Sequence, residues 1–317
     1  MIEATGLTKR YGDKTAVDDL SFTVRSGIVT GFLGPNGSGK STTMRMILGL
    51  DAPTSGAVTV NGRQYVDLPA PLREVGALLE ARAVHTSRSA TNHLRAMAAT
   101  TGISRARVEE VIDLVGLREV ATQRAGAFSL GMGQRLGIAS ALLGDPDTVM
   151  LDEPVNGLDP DGILWIRNLL RNLAAQGRTV FLSSHMMSEM ELTADHLIVI
   201  GRGRLVRDIS MSDFIADASA KSVFVRSPQA TELRDLLLGP NVSVTSTHRG
   251  TLSVKGLSTD EIGAAAAAAA ITLAELSPVM ASLEEAFMAI TKDAVEYRAT
   301  SQHTEPSIST DLNRSAA

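Results

Sequence analysis

The segment GPNGSGKS at residues 34–41 matches the pattern G-x-x-x-x-G-K-[ST], whose residue types suit the binding of phosphate groups. Glycines in this pattern let the backbone curve and point successive N–H groups at one anion. The following helix adds the partial positive charge of its N-terminus, the lysine neutralises the β- and γ-phosphates, and the serine hydroxyl offers an oxygen to Mg²⁺. The pattern predicts a nucleotide-binding loop formed by Gly34, Pro35, Asn36, Gly37, Ser38, Gly39, Lys40, Ser41 and Thr42.

A second segment, VMLDEP at residues 149–154, is a run of apolar residues that ends in two carboxylates. It predicts a buried strand whose C-terminal end meets the phosphates, because open α/β sheets bind ligands at that end of their strands. Asp152 would hold Mg²⁺, and Glu153 would polarise the water that attacks the γ-phosphate. An isolated Asp-Glu pair after a strand is more often a solvated turn. Its position downstream of a phosphate-binding loop favours the functional interpretation.

The segments between residues 147 and 208 alternate between strand and helix patterns, which predicts an α/β fold with a parallel sheet covered on both faces. Those segments are DTVMLDEP, DGILWIRNLLRNLAAQG, RTVFLSSH, MMSEMELTA and the strand pair DHLIVIGRGRLVRD. Nearer the N-terminus, PTSGAVTVNGR at residues 53–63 combines an alternating strand with an Asn-Gly turn, which predicts an antiparallel element. Residues 84–143 are mostly helical in pattern, and RVEEVIDLVGL within them has apolar residues at helical spacing.

A different pattern begins near residue 215, where strand, helix, strand, strand, helix and strand follow one another before a last helix, SLEEAFMAIT. The first six have the order of a small α+β ferredoxin-like unit. We therefore predict a main domain at residues 1–215, with a helical subdomain at about 84–143, and an accessory α+β domain at 216–293. Residues 294–317 contain few apolar side chains that could be buried, so we predict a disordered tail there.

The composition excludes several kinds of protein. The chain has 317 residues, 44% of them hydrophobic, which suffices for a large buried core. Its formal net charge of -5 argues against a nucleic-acid partner, and the absence of cysteine excludes disulfides and thiol chemistry. The six histidines are scattered without ligand spacing, so we predict no structural zinc. Because there is no signal-peptide pattern and no apolar run of ~18 residues, we expect a cytosolic chain.

The two motifs and their order along the chain resemble the nucleotide-binding subunits of ABC transporters over about residues 2–215. The resemblance implies a P-loop ATPase core whose parallel sheet is joined by an antiparallel β subdomain and a helical subdomain. It also implies ATP and Mg²⁺ as cofactors. A dimer with a second copy, or with a related ATPase subunit, would close around two ATP molecules. The expected partner is an integral membrane permease, which would hold this chain at the cytoplasmic face of the membrane.

Three further residues take roles from this resemblance. Tyr11 matches the aromatic residue that stacks on adenine, although a tyrosine at a strand edge has other uses. Asp159, in NGLD, matches a loop residue that works across the dimer interface. His185, at the end of FLSSH, matches the histidine that hydrogen-bonds the γ-phosphate. Its place one strand after the carboxylates favours that role over an ordinary histidine at a strand end.

The segment FSLGMGQRLGIA at residues 128–139, taken alone, is typical of a helix that is capped by a serine and packs into a core. The resemblance adds a second interpretation, because the family's signature reads L-S-G-G-Q. Ser129 and Gly131 are retained, whereas Leu130 replaces the first glycine and Met132 replaces the glutamine. We expect Ser129 and Gly131 to address a γ-phosphate at the helix N-terminus, and the same serine can also cap the helix.

Glu80, at the end of the strand in VGALLEARAV, stands where the family normally has a glutamine that contacts Mg²⁺ and the membrane partner. A carboxylate can ligate Mg²⁺, but it also adds negative charge beside ATP. Glu80, the altered signature and the C-terminal unit together resemble the ATP-binding subunits of type-2 exporters, including those for drugs, bacitracin-like antibiotics and polysaccharides. We therefore expect an exporter ATPase subunit. The alternatives are an importer ATPase subunit, a non-transport ABC ATPase and an inactive nucleotide-binding scaffold.

Overall fold

The computed structural model describes residues 1–80, 84–184, 186–219, 222–246, 248–279, 283–284 and 287–288. Near the N-terminus, three antiparallel strands form a sheet, in the spatial order β2 (Lys14–Val24), β1 (Ile2–Tyr11) and β4 (Ser55–Val60). The strand β4 ends at the Asn-Gly turn, where Asn61 has a φ of 51°. The predicted antiparallel element is therefore confirmed.

The largest sheet has six strands, which are, in spatial order, β5 (Val75–Leu78), β6 (Thr148–Asp152), β7 (Thr179–Ser183), β3 (Val29–Leu33), β8 (His196–Gly201) and β9 (Arg204–Ser210). The first five are parallel, and β9 is an antiparallel edge strand paired with β8. The strands β3 and β7 are buried along their whole length, as expected for parallel strands covered on both faces. The predicted α/β fold is confirmed.

The helices that accompany these two sheets are α1 (Lys40–Ile47), α2 (Pro71–Glu74), α3 (Ala90–Thr101), α4 (Arg105–Leu114), α5 (Leu130–Leu142), α6 (Pro160–Ala175), α7 (Met187–Thr193) and α8 (Met211–Ser219). In the range predicted to be mostly helical, α3, α4 and α5 each follow a serine whose side chain accepts a hydrogen bond from the N–H three residues later. Within the part of the chain described above, no helix is both long and apolar enough to cross a bilayer.

The sequence pattern did not predict α8, although its capping signal is present. The Ser210 hydroxyl accepts a hydrogen bond from the Asp213 N–H at 3.1 Å, and Met211 and Phe214 are buried in the core of the six-stranded sheet. A helix of about two turns carries too few apolar positions to stand out by periodicity.

Three phenylalanines join the two sheets around the first helix. The rings of Phe22, Phe32 and Phe181 lie 5.0–6.0 Å apart, between their centroids. Met44 and Ile47 of α1 are buried in the same cluster. Because α1 is packed from both sides, the loop that precedes it has a fixed position at the end of β3.

The C-terminal unit consists of β10 (Val223–Arg226), α9 (Ala230–Leu237), β11 (Ser243–Thr245), β12 (Thr251–Lys255), α10 (Thr259–Ala268) and β13 (Glu275–Pro278). Its strands are antiparallel in the order β11–β12–β10–β13, which confirms the predicted ferredoxin-like unit. Leu283 and Phe287 lie beyond it and are buried in the core of the six-stranded sheet. The domain division at residue 216 stays a prediction, and the predicted tail at 294–317 lies outside the described residues.

Candidate nucleotide-binding site

The phosphate loop runs from the end of β3 to the start of α1. Gly39 lies just before the helix with a φ of 105°, in the region that favours glycine. A Cβ atom added there would lie 2.6 Å from the carbonyl oxygen of Ala16, so a side chain cannot be accommodated without displacing the backbone. Because position 39 carries no side chain, the loop can adopt a tight conformation in which its backbone N–H groups can approach a phosphate closely.

The side chain of Lys40 is held in place by backbone carbonyl groups of this loop. Its Nζ donates hydrogen bonds to the carbonyl oxygens of Gly34, at 2.5 Å, and Pro35, at 3.2 Å. Burial lowers the pKa of Lys40, while the nearby Glu153 and Asp152 carboxylates oppose that shift. The ammonium group is thus already positioned over the loop, where it can meet a phosphate.

Asp152 ends β6 and is fixed by two hydroxyl groups. The Ser41 Oγ donates to its Oδ2 at 3.2 Å, and the Ser183 hydroxyl of β7 donates to its Oδ1. A hydroxyl and a carboxylate oxygen beside an open cleft suit Mg²⁺, which usually takes few protein ligands and completes its shell with phosphate oxygens and water. The donor set present at Ser41 and Asp152 therefore fits this ion.

An open cleft of about 370 Å³ brings the loop and the carboxylates together. It is lined by Lys14, Ala16, Asn36, Gly37, Ser38, Gly39, Lys40, Ser41, Thr42, Asp152 and Glu153. Gly34 and Pro35 are connected to the cleft through their carbonyl oxygens, which accept the hydrogen bonds of Lys40. The cleft thus combines backbone N–H donors, the ammonium groups of Lys14 and Lys40 and the carboxylates of Asp152 and Glu153, which suits phosphoryl transfer.

Glu153 adopts a backbone conformation that is unusual for a residue with a side chain, with a φ of 51°. Its N–H donates to the carbonyl oxygen and the hydroxyl of Ser183, each at 3.2 Å. Its carbonyl oxygen accepts from the Asn156 N–H and from Nε2 of Gln134, each at 3.2 Å. Contacts on both sides of the residue therefore hold the strained conformation.

Tyr11 is the last residue of β1, and its side chain is half exposed. Its hydroxyl donates to Asp51 Oδ2 at 3.0 Å, and Arg45 Nε of α1 donates to the same oxygen at 2.7 Å. The Lys9 ammonium lies 5.0 Å from the centre of the ring. Partial burial and the bond to Asp51 raise the pKa of Tyr11, which keeps its hydroxyl protonated.

The signature residues lie at a different place from the phosphate cleft. Ser129 caps α5 by accepting from the Met132 N–H at 3.2 Å, and it lines a second pocket, of about 320 Å³. A Cβ atom at Gly131 would lie 2.7 Å from the Gly157 carbonyl oxygen, so the signature packs on the loop before Asp159. Asp159 caps α6 and accepts from the Gly162 N–H at 2.9 Å. The serine and the aspartate are both exposed.

Two candidates remain, Glu80 and His185. Glu80 is exposed at the end of β5 and does not line the described part of the cleft. The hydrogen bond to Asp51 is the main cause that raises the pKa of the Arg45 guanidinium, and the negative charge of Glu80 adds to it to a smaller extent. His185 lies outside the described residues.

Sequence reasoning missed Gln134, Asp51 and Arg45. Gln134 was visible as a polar residue on the apolar side of α5, where its side chain is only 2% exposed. Asp51 and Arg45 flank the end of α1. No pattern in the sequence indicates that Asp51 contacts both Arg45 and Tyr11.

A glycine-rich loop at the start of a helix, beside a carboxylate pair at the end of a parallel strand, defines a P-loop nucleoside triphosphatase. The family model described as ABC transporter matches residues 17–156. A bacitracin transport ATP-binding protein from Bacillus licheniformis is 43% identical over 212 residues, which are 66% of this chain and 69% of that protein. The chain belongs to the ATP-binding proteins of ABC transporters, and it is an ATPase.

Other relatives show how far the similarity extends. A lantibiotic transport ATP-binding protein from Streptococcus pyogenes is 35% identical over 65% of this chain and 89% of its own length. An uncharacterized ABC transporter ATP-binding protein from Bacillus subtilis (strain 168) is 31% identical over 92% of this chain and 95% of its own length. A solved ATP-binding subunit of an ABC transporter has a TM-score of 0.64 at 28% identity, over 68% of this chain and 92% of that one. Residues 221–284 match a domain of unknown function.

Proposed function

We propose that this chain is the ATP-hydrolysing subunit of an exporter, which dimerises around two ATP molecules and drives a separate integral membrane permease. The observation that carries the proposal is the arrangement of polar groups in one chain. Lys40, Ser41, Asp152 and Glu153 line one open cleft, whereas Ser129 lies on an exposed surface outside it. If ATP is hydrolysed between two copies of the chain, the residues that bind it in one copy must be separate from the signature residues, which contact it from the other copy.

Each group in the cleft has a distinct role in the proposed reaction. Lys40 and the loop N–H groups bind the β- and γ-phosphates, and Glu153 accepts the proton of the attacking water. Ser41 and Asp152 would hold Mg²⁺, which neutralises charge on the phosphates when bound. Tyr11 stacks on the adenine ring, and its bond to Asp51 supports this role by fixing the ring at the end of α1.

The exposed residues belong to the proposed dimer contact. Ser129 and Gly131, at the N-terminus of α5, address the γ-phosphate of ATP held by the partner's Lys40. Asp159 works across the same interface, and His185 bonds the γ-phosphate in its own subunit. The exposure of Ser129 and Asp159 supports this arrangement, because both must be reachable by a second chain.

The exporter assignment draws on the relatives and on the C-terminal unit. The relatives include ATP-binding proteins of bacitracin transport, of lantibiotic transport and of Nod factor export, so we propose antibiotic or similar small hydrophobic cargo. The βαββαβ unit also differs from the β-rich regulatory domain that is usual in importer subunits. Glu80 is assigned to the permease contact rather than to Mg²⁺, since it is exposed and is not among the residues that line the described part of the cleft. The chain would work at the cytoplasmic face of the membrane, bound to the permease.

The test is to identify a neighbouring reading frame that encodes a protein with about six membrane spans, to co-express that protein with this chain, and to measure accumulation of bacitracin in sensitive cells. The wild-type pair should lower accumulation, and the same pair with Glu153→Gln should not. An active ATPase whose presence changes the accumulation of neither bacitracin, lantibiotics nor hydrophobic drugs would contradict the exporter assignment.

A further inference from the structure

Gln134 is a buried polar residue in the second turn of α5. Its side chain is 2% exposed, and the residues that follow it, Leu136, Gly137, Ile138 and Ala139, are buried as well. In this apolar setting its Nε2 donates to the carbonyl oxygen of Glu153 at 3.2 Å. A buried amide needs such a partner. Here the partner is Glu153, the residue that is proposed to activate water.

The contact joins two features that the proposed function uses separately. Ser129 caps the helix α5, and Gln134 lies five residues further along, about 8 Å up the helix axis. Ser129 is at the exposed surface, whereas Gln134 touches the residue that is proposed to activate water in the same chain. One rigid helix therefore reaches both the exposed surface proposed for the dimer contact and the backbone of the residue proposed to activate water.

Glu153 depends on its backbone contacts because its φ of 51° is intrinsically unfavourable for a residue with a side chain. Ser183, on β7, holds the N–H side, and Asn156, within the same turn, holds the carbonyl side. Gln134 also donates to the Glu153 carbonyl oxygen, and it does so from the helix α5, which lies outside this turn. A shift of α5 would therefore alter the direction in which the Glu153 carboxylate points.

We propose that Gln134 is a positioning residue for Glu153, and that it transmits the position of α5 to the hydrolytic site of its own subunit. The inference rests on the proposed function, in which the N-terminus of α5 addresses ATP bound to the partner. ATP at one site then fixes α5, and Gln134 fixes the water-activating carboxylate at the other site. The two sites are thereby coupled through five residues of one helix.

The test substitution is Gln134→Met, which keeps the length of the side chain and removes the donor. We expect kcat to fall about five- to fiftyfold while the KM for ATP changes less than about twofold, because a lost hydrogen bond misdirects Glu153 and leaves Lys40 untouched. In a Glu153→Gln background, Gln134→Met should leave ATP-dependent dimerisation unchanged. Gln134→Asn keeps an amide but is shorter, and it should give a smaller fall in kcat.

The matched control is Ser140→Ala on the same helix, where the hydroxyl donates to Leu136 and contacts His93. It should leave kcat within about twofold of wild type, as expected for a residue away from the reacting groups. Melting temperatures of all variants show whether each folds. A wild-type kcat in Gln134→Met would overturn the inference, and so would a parallel loss of kcat, ATP binding and melting temperature in both Gln134 variants. Absence of ATP-dependent dimerisation in Glu153→Gln alone would instead refute the proposed function.

Discussion

The six-stranded sheet and the C-terminal four-stranded sheet distribute their polar residues in different ways. The strand β6 is buried until Asp152, where the chain turns sharply at Glu153. In β10, the buried Val223 and Val225 alternate with the more exposed Phe224 and Arg226. Parallel strands that are covered on both faces offer only their ends to a ligand, so polar groups become concentrated there. An antiparallel sheet with one covered face spreads its polar groups over the other face.

The cleft and the C-terminal unit are also separate in the sequence. The residues that line the cleft lie between residues 14 and 153, and the C-terminal unit begins at β10. Leu283 and Phe287 nevertheless return to the core of the six-stranded sheet. The comparison therefore predicts that chemistry depends on the first region, and that the second acts on it only through packing.

The largest effect is expected from Glu153→Gln, which tests whether the chemistry lies at the end of β6. Turnover should fall at least about 100-fold, because a positioned general base contributes a factor of this size. ATP binding should persist, since Lys40, Ser41 and Asp152 remain, and a dimer should accumulate. Phosphate release and light scattering measure the two outcomes. The control is Glu110→Gln, on an exposed residue paired with Arg107. Turnover near the wild-type rate in Glu153→Gln would remove Glu153 from its assigned role.

The second prediction asks whether one cleft is complete within one chain. A chain with Lys40→Ala is mixed with a chain carrying Ser129→Arg, both with Glu153→Gln. If the signature addresses the partner's ATP, both defects fall in one composite site and the other site is intact. Each variant alone should then fail to dimerise with ATP, and the mixture should close around one ATP.

A within-chain arrangement gives a different result, because each site would then carry one defect. A mixture that dimerises no better than either parent would count against the cross-subunit assignment of Ser129 and Gly131. The segment at 128–139 would then be a capped core helix, consistent with the hydrogen bond from Met132 to Ser129 but without a role in catalysis.

Two parts of the candidate site could be predicted from the sequence for the same physical reason. The loop at 34–41 and the carboxylates at 152–153 are each local patterns at strand ends, and parallel strands of one sheet end at the same edge. Gln134 and Asp51 could not be placed in this way. Their contacts with Glu153 and Tyr11 depend on how helices pack against strands, and periodicity does not fix the rotation of a helix to that precision.

Glu80 is a position for which the family resemblance leaves two roles open, a ligand of Mg²⁺ or a contact of the permease. Its side chain is exposed, and its charge contributes to raising the pKa of Arg45. The third prediction is that Glu80→Gln changes the ATPase rate and Mg²⁺ requirement of the isolated chain less than about twofold, as expected for an exposed charge. Transport by the complete exporter should change more. A large shift in the Mg²⁺ requirement of the isolated chain would instead make Glu80 a ligand.

The smallest effect on turnover is expected from Leu233→Ala, which tests the separation of the two regions. Leu233 is fully buried in the C-terminal core with Val225, Val254 and Ile262, so its truncation should destabilise that unit by about 2–5 kcal/mol. The kcat of the isolated chain should stay within about twofold at low temperature, because the cleft is built from other residues. The matched control is Leu170→Ala on α6, which removes the same atoms from the core of the six-stranded sheet and should lower the temperature at which ATPase activity is lost. If Leu233→Ala lowers that temperature as much as Leu170→Ala does, then the contacts of Leu283 and Phe287 couple the two regions into one cooperative unit, and the separation inferred from their sheets is wrong.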